Sequence, residues 1–310
     1  MKIVIQIPCF NEEENIASTL SEIKYVIKSM DKKIEILVID DGSTDRTLEI
    51  LEHIQVDHVL RIPKNQGLAN AFQRGIDHSL TLGADIIVNT DGDGQYPANR
   101  IPELIQPILD GSADVVLGDR ETSRSTDFSF MKRLFQSLGS WTASKLCNVE
   151  INDAATGFRA YSRDSAAWLH MTTKYTYTLE SLVQLSQGNF RIANQIVGRN
   201  KVDRPSRLFK SPFQYVIKNG GTLIRVWIQY RSLRFFAGIS VFCLLLGFAL
   251  LAPFAFAKIT NQPNQHIQLV IFSAVALGSS PLFLVLGILG DSIRSTRIIS
   301  QKTLQLVKLG

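Results

Sequence analysis

Two carboxylates stand one residue apart in Asn89-Thr90-Asp91-Gly92-Asp93-Gly94-Gln95-Tyr96-Pro97. Asp91 and Asp93 share a side if the backbone stays extended, and the glycines allow a tight bend and close approach by a ligand. Hard oxygen ligands, an amide oxygen at Gln95 and no nearby His or Cys suit Mg²⁺ or Mn²⁺ carried with a diphosphate. The same letters also spell a common Asp/Gly-rich turn. Position raises the first reading. The apolar run Ile86-Ile87-Val88 before them reads as a buried parallel strand, and open α/β sheets bind ligands at the carboxyl ends of their strands.

Other strand ends carry similar residues. Ile3-Val4-Ile5-Gln6-Ile7 predicts a first strand that runs into Pro8, Asn11 and Glu12, and Ile36-Leu37-Val38-Ile39 a second that runs into Asp40 and Asp41. His58 to Ile62, Ile86 to Asn89 and Ala113 to Gly118 supply three more. Between them, Ile16, Leu20, Ile23 and Ile27 mark the buried stripe of a helix whose first turn is expected to hold Glu12, Glu13 and Glu14. Ser43 or Thr44 is expected to cap the next helix, and Asn65-Gln66-Gly67 to turn into a third, from Leu68 to Leu80. This alternation predicts a parallel sheet with helices on both faces. Residues 121–128 read as a polar loop, Phe130, Leu134, Leu138 and Trp141 repeat at helical spacing, and 165–186 read helical around Leu182, Val183 and Leu185. Asp153 to Tyr161 looks like a turn entering a strand, and Phe190 to Val197 like another strand. No glycine fingerprint of dinucleotide folds follows the first strand, and no P-loop is present, so a nucleotide here would be held by acids and a metal.

The 310 residues carry a net charge of +5, too mild a balance to argue for nucleic acid. Three scattered cysteines give neither a disulfide framework nor a zinc site, and the five histidines have no ligand spacing. The amino terminus is too short and strand-like for a secretion signal. Phe235 to Ala257 and Ile267 to Gly290 are free of Lys, Arg, Asp and Glu over 23 and 24 residues, and a bilayer core needs about 20. Both are expected to span a membrane. The basic amphipathic stretch before the first span reads as lying on the bilayer surface. Basic residues flank the outer ends of the two spans, whereas Lys258 to His266 holds one Lys. The positive-inside rule predicts the catalytic domain and both termini in the cytoplasm, and the expected membrane is a bacterial inner membrane.

Ile7-Pro8-Cys9-Phe10-Asn11-Glu12-Glu13, Val38-Ile39-Asp40-Asp41-Gly42-Ser43-Thr44-Asp45 and Thr90-Asp91-Gly92-Asp93-Gly94-Gln95 come in this order, each ending a strand. The ordered set resembles the inverting GT-A glycosyltransferases of family 2, in the branch of dolichol-phosphate mannose synthases and polyprenyl-phosphate glycosyltransferases. The resemblance implies an α/β GT-A domain over 1–205, amphipathic helices over 206–234, membrane helices at 235–257 and 267–290, and a cytoplasmic tail over 291–310. It implies transfer of a hexose from a UDP- or GDP-sugar to a polyprenyl or dolichyl phosphate, and leaves a homo-oligomer open. Pro8, Asn11 and Glu12 would line the base pocket, Asp40 and Asp41 reach base and ribose, and Asn65, Gly67 and Ala71 lie beside the nucleotide. Asp91 would face the sugar, and Asp93 and Gln95 hold the metal. Arg120 would approach a phosphate, Asp153 and Arg159 belong to the acceptor-side turn, and Arg204, Ser206 and Lys210 close a basic loop over the phosphates. Many relatives read Gly-Glu-Ser-Lys where this chain has Arg204-Pro205-Ser206-Arg207. Asp153 is either a base or acceptor-orienting group or a structural anchor, since a lipid phosphate is already ionised near pH 7 and needs no strong base. Glu180 matches a family helix near the site, and Trp141 and Trp227 are expected to pack in the core and at the interface.

Two rival readings are a hydroxyl-directed family 2 enzyme of polysaccharide or glycolipid synthesis and a non-catalytic nucleotide-binding membrane scaffold. The first usually carries Gln-x-x-Arg-Trp, absent here; the second would be marked by loss of an acid, yet Asp91, Asp93 and Gln95 are all present.

Overall fold

The computed structural model of the chain describes residues 1–121, 130–172, 177–200, 212–260 and 267–309; the side chains of 130–135, 212–227, 229 and 230 lie outside that description. Seven strands form one sheet: β1 Lys2–Cys9, β2 Lys33–Asp40, β3 His58–Arg61, β4 Ile86–Asn89, β5 Val115–Asp119, β6 Arg159–Ser162 and β7 Ile192–Ile196. Their order is β3-β2-β1-β4-β6-β5-β7. β1 lies parallel between β2 and β4, with Ile5 opposite Ile36 on one side and Val88 on the other. A strand flanked this way and covered on both faces must be apolar throughout, and every residue from Ile3 to Cys9 is buried.

The helices around the sheet are α1 Ile16–Lys28, α2 Thr47–Ile54, α3 Leu68–Thr81, α4 Ile101–Leu109, α5 Phe130–Cys147, α6 Arg163–Trp168 and α7 Thr178–Gln187. Ile16, Leu20 and Ile23 of α1 join Ile3, Ile5, Ile7, Ile36 and Val38 in the main core.

Five expectations are corrected. The sheet is mixed, because β6 runs antiparallel between β4 and β5. α1 begins at Ile16, so Glu12 to Glu14 precede it; Asn11 adopts a positive φ of 55° and bends the chain before the helix. α2 begins at Thr47, and the Ser43 hydroxyl accepts the Asn11 N–H instead of capping it. The helix read over 165–186 is two, α6 and α7. Trp141 is 59% exposed, not core.

Two compact units divide the chain, one of residues 1–212 with 300–310, the other of residues 213–299. The second contains most of α8 Pro212–Ile259 and α9 Ile267–Leu309. α8 leaves helical geometry at Arg231, and Arg231–Ile259 and Ile267–Leu309 are each long and apolar enough to cross a membrane. Only 11% of the most apolar window of each is buried, so neither is the core helix of a soluble domain. Side chains such as Phe242, Leu245, Phe272 and Val275 point outward. Small residues let the two helices touch: Ser240 and Ser280 share hydroxyl contact at 3.0 Å, and the Ser273 hydroxyl donates to the Gly247 carbonyl at 2.8 Å. α9 runs on through residues 291–309. Its last turns belong to the first unit, where Lys308 pairs with Asp77 at 2.7 Å.

Candidate active site

The strand order reverses between β1 and β4, and the residues that follow these strands face the crevice where such sheets take ligands. The backbone turns over 92–94 rather than staying extended, with Gly94 at φ +71°. Asp91 and Asp93 are half-buried. Burial, then the Asp93 carboxylate beside it, push the Asp91 carboxyl up to about 7; Arg120 and a bond from the Tyr96 hydroxyl work the other way. Asp93 accepts the Gln95 N–H at 3.1 Å.

Arg120, just after β5, brings the counter-charge. Its Nε and Nη2 donate to the two carboxylate oxygens of Asp153 at 2.6 and 3.0 Å, and its Nη1 donates to Gln95 Oε1 at 3.2 Å. Only 9% of the Arg120 side chain and 2% of Asp153 are exposed. Burial opposes the guanidinium charge, but Tyr96, Asp153 and Asp91 around it outweigh that and hold its pKa above the ordinary arginine value. Asp153 is thus one half of a buried bidentate pair. Gln95 Oε1 thus faces Arg120.

On the other side of the crevice the acids are occupied by backbone. Asp40 is fully buried and accepts the Ser43 N–H at 3.1 Å. Asp41 accepts Gln66 N–H and Gly67 N–H at 2.9 and 2.8 Å, one on each oxygen, and so pins the turn that starts α3. Gly42, at φ +76°, lies so close to this turn that a Cβ would meet Asn65 N at 2.7 Å. Asn11 Oδ1 accepts the Thr44 N–H, and the Glu12 N–H donates to Thr47. Pro8 is buried in β1, and Asn65 is exposed. The three loops are therefore stitched together at their bases.

Arg159 differs from its expected role. It is 0% exposed, and its guanidinium donates to the carbonyls of Ala154, Thr156 and Thr178 and to the Ser181 hydroxyl, each at 2.9 Å. With its edges spent on these partners it offers none to a phosphate; it ties the 153–157 turn to the start of α7. Glu180 is likewise buried and accepts from Thr172 and Gln184. Arg204, Ser206 and Lys210 lie outside the described residues.

Sequence reading passed over several residues that build the site. Tyr96, 5% exposed, accepts the Gly157 N–H at 2.7 Å and stacks on Phe158. Asn89 donates to the Gly157 carbonyl and the Tyr177 hydroxyl, while Gln6 donates to Asn89. Asn200 donates from its backbone to Gln95 O at 2.9 Å and from Nδ2 to Gly94 O at 3.0 Å. Only a buried polar Asn at a strand end hinted at this network.

Among the described residues no group of three His, Cys, Asp or Glu side chains could by itself hold a metal. One or two carboxylates with room for other oxygens is how Mg²⁺ is usually bound together with substrate phosphates. Asp91 and Asp93 fit that donor set.

The sequence profile of "Glycosyl transferase family 2" matches residues 4–168, more than half of the chain. The chain belongs to glycosyl transferase family 2. It is 28% identical over 229 residues to a dolichol-phosphate mannosyltransferase of Pyrococcus furiosus, covering 71% of this chain and 58% of that protein. It is 27% identical over 230 residues to a dolichyl-phosphate hexose transferase of Haloferax volcanii, covering 72% and 92%. The chain thus spans less than two thirds of the Pyrococcus relative. Glucosyl-3-phosphoglycerate synthase of Mycobacterium tuberculosis, solved with Mn²⁺, UDP and phosphoglyceric acid, superposes with a TM-score of 0.56 at 22% identity, over 73% of this chain and 77% of that one. That likeness establishes the GT-A fold.

Proposed function

We propose that the chain transfers a hexose from a nucleotide diphosphate sugar to a polyprenyl phosphate presented at a membrane surface. The observation that carries this reading is the pairing of an acid couple, Asp91 and Asp93, with a buried, permanently charged Arg120 at the switch point of a GT-A sheet. The names of the Pyrococcus and Haloferax relatives support the lipid phosphate acceptor, and the two apolar helices support its delivery from a bilayer. The Mycobacterium structure supports a uridine nucleotide and Mn²⁺.

The residues would divide the work as follows. The loops holding Pro8, Asn11, Glu12, Asp40, Asp41, Asn65 and Gly67 shape the nucleotide pocket, with Asp40 and Asp41 acting chiefly by fixing its walls. Asp93, with Asp91, would hold the divalent cation, which when bound neutralises the diphosphate leaving group. Arg120 keeps a fixed positive charge beside that position, where charge develops on departure. Asp153 holds Arg120 and does not serve as a base. The acceptor supplies its own anionic nucleophile, so none is required. Attack opposite the leaving group inverts the anomeric carbon. Arg204, Ser206 and Lys210 would add cationic and hydroxyl contacts to the phosphates. The domain would face the cytoplasm. The pairing of Asp153 also weighs against the hydroxyl-directed alternative, which needs a free base.

The test is incubation of the full chain in detergent with polyprenyl phosphate, Mn²⁺ and a panel of UDP- and GDP-hexoses, with mass spectrometry of the lipid. A hexosyl-phosphoryl lipid is expected from one donor. Absence of that product from every donor, with transfer instead to a sugar hydroxyl, would sink the reading.

A further inference from the structure

Tyr96 touches three pieces of the site at once. A phenol oxygen has one hydrogen to give and lone pairs to receive. The lone pair side takes the Gly157 N–H at 2.7 Å, from the turn that enters β6. The Asp91 carboxylate, after β4, lies against the same Gly157, and the Tyr96 hydroxyl favours its charged form. The ring lies under Arg120, with the guanidinium carbon 5.9 Å from its centroid, and is itself held by the Phe158 ring at 5.2 Å. Gly157 completes the fit. A Cβ on it would stand 2.9 Å from Asp91 Oδ1 and 2.9 Å from the Tyr177 hydroxyl, so only glycine lets the acid sit where it does. Tyr177 is fixed in turn by stacking on Phe72 at 3.9 Å and by the Asn89 amide.

We infer that Tyr96 is a positioning residue for the transfer reaction: its hydroxyl joins the Gly157 backbone to the Asp91 carboxylate while its ring carries Arg120, so one side chain sets where the acid and the guanidinium stand relative to each other. This rests on the glycosyl-transfer reading given above. A donor to a carboxylate orients it more firmly than a neutral hydrogen bond would. The ring supplies a face of negative potential for the guanidinium. Neither contact reaches the substrate, so the effect passes through Asp91 and Arg120.

Tyr96→Phe removes only the hydroxyl and keeps both ring contacts. In the full chain in detergent we expect kcat to fall about tenfold, the size of one lost hydrogen bond to a charged group, with little change in the KM for lipid phosphate. The affinity of the nucleotide diphosphate with Mn²⁺, read by calorimetry, should fall in the wild-type background and stay within about twofold in the Asp91→Asn background, because the acid through which the hydroxyl acts is gone. Gly157→Ala leaves Tyr96 in place but crowds Asp91, and should reproduce the kcat loss; it decides the matter if Tyr96→Phe does not fold. Equal losses of affinity in both backgrounds would mark a merely structural residue and overturn the inference. So would full activity in Tyr96→Phe, which would leave the transfer reading standing. A wild type that transfers nothing to the lipid would overturn both.

Discussion

The loop after β2 and the loop after β4 each carry two aspartates at the end of a parallel strand, yet they do opposite things. Asp40 and Asp41 accept the backbone amides of Ser43, Gln66 and Gly67 and so brace the loops around them. Asp91 is held near Asp93 with burial and like charge against it, and the compensation comes from Arg120 and Tyr96. The first loop is at rest and the second is poised. An acid at a strand end is therefore a site candidate only when its oxygens are left short of amide donors.

That contrast can be broken most severely at the poised loop. Asp93→Ala should cut transfer by about 100-fold or more, the scale of losing one group that stabilises developing charge, while circular dichroism stays unchanged; near-normal turnover would remove the cation-holding role. Arg120→Met leaves Asp153 charged and buried, and should lower unfolding free energy by about 3–5 kcal/mol, as broken buried pairs do. Arg120→Met/Asp153→Leu should recover much of this in urea titrations, though not activity. At the resting loop, Asp41→Asn should cost about 1–3 kcal/mol, because two amide donors lose their anionic acceptor. Asp91→Asn should instead raise the melting temperature in chelator at pH 7, as expected where function holds unfavourable charge. A fall in both would show that the two loops are alike.

The smallest expected effect concerns an acid away from both loops. Glu35 receives Lys2 at 2.7 Å and His58 at 2.8 Å. The bond from Lys2, against a desolvation penalty and helped by His58, lowers its carboxyl to about 2. A carboxylate whose folded pKa is depressed stabilises above its unfolded pKa and loses that contribution as pH falls through the folded one. Glu35→Gln should thus be slightly less stable than wild type at pH 6, with the gap closing between pH 4.5 and about 2. A gap that stays constant over that range in urea melts would exclude the ion pair as its source.

Much of the poised loop was legible in the letters. Ile86-Ile87-Val88 announces a buried strand, and acids cannot follow such a run at a ligand-binding rim without consequence. The resting role of Asp40 and Asp41 was not legible, since amides from Gln66 and Gly67 reach Asp41 only through folding. Arg159 was placed at the acceptor-side turn by resemblance alone, and its partners, the Thr178 carbonyl and the Ser181 hydroxyl, meet it only through folding. Glu12 to Glu14 looked like a helix start because the dipole favours acids there, but Asn11 at positive φ delays α1. β6 was read as a strand, yet its direction was hidden; four residues carry no sign of which way they will pair.

The reversed direction of β6 has a consequence for how this scaffold can vary. Gly118 N–H donates to Phe158 O at 2.8 Å, and Leu117 lies opposite Arg159, so the chain that leaves β5 returns to the place it left. Everything from 120 to 157 is an excursion whose two ends are already clasped. Lengthening such a loop adds little closure entropy. A lineage could exchange what lies between Arg120 and Asp153, and with it the kind of molecule received on that side, while that pair and β1, β2 and β4 stay as they are.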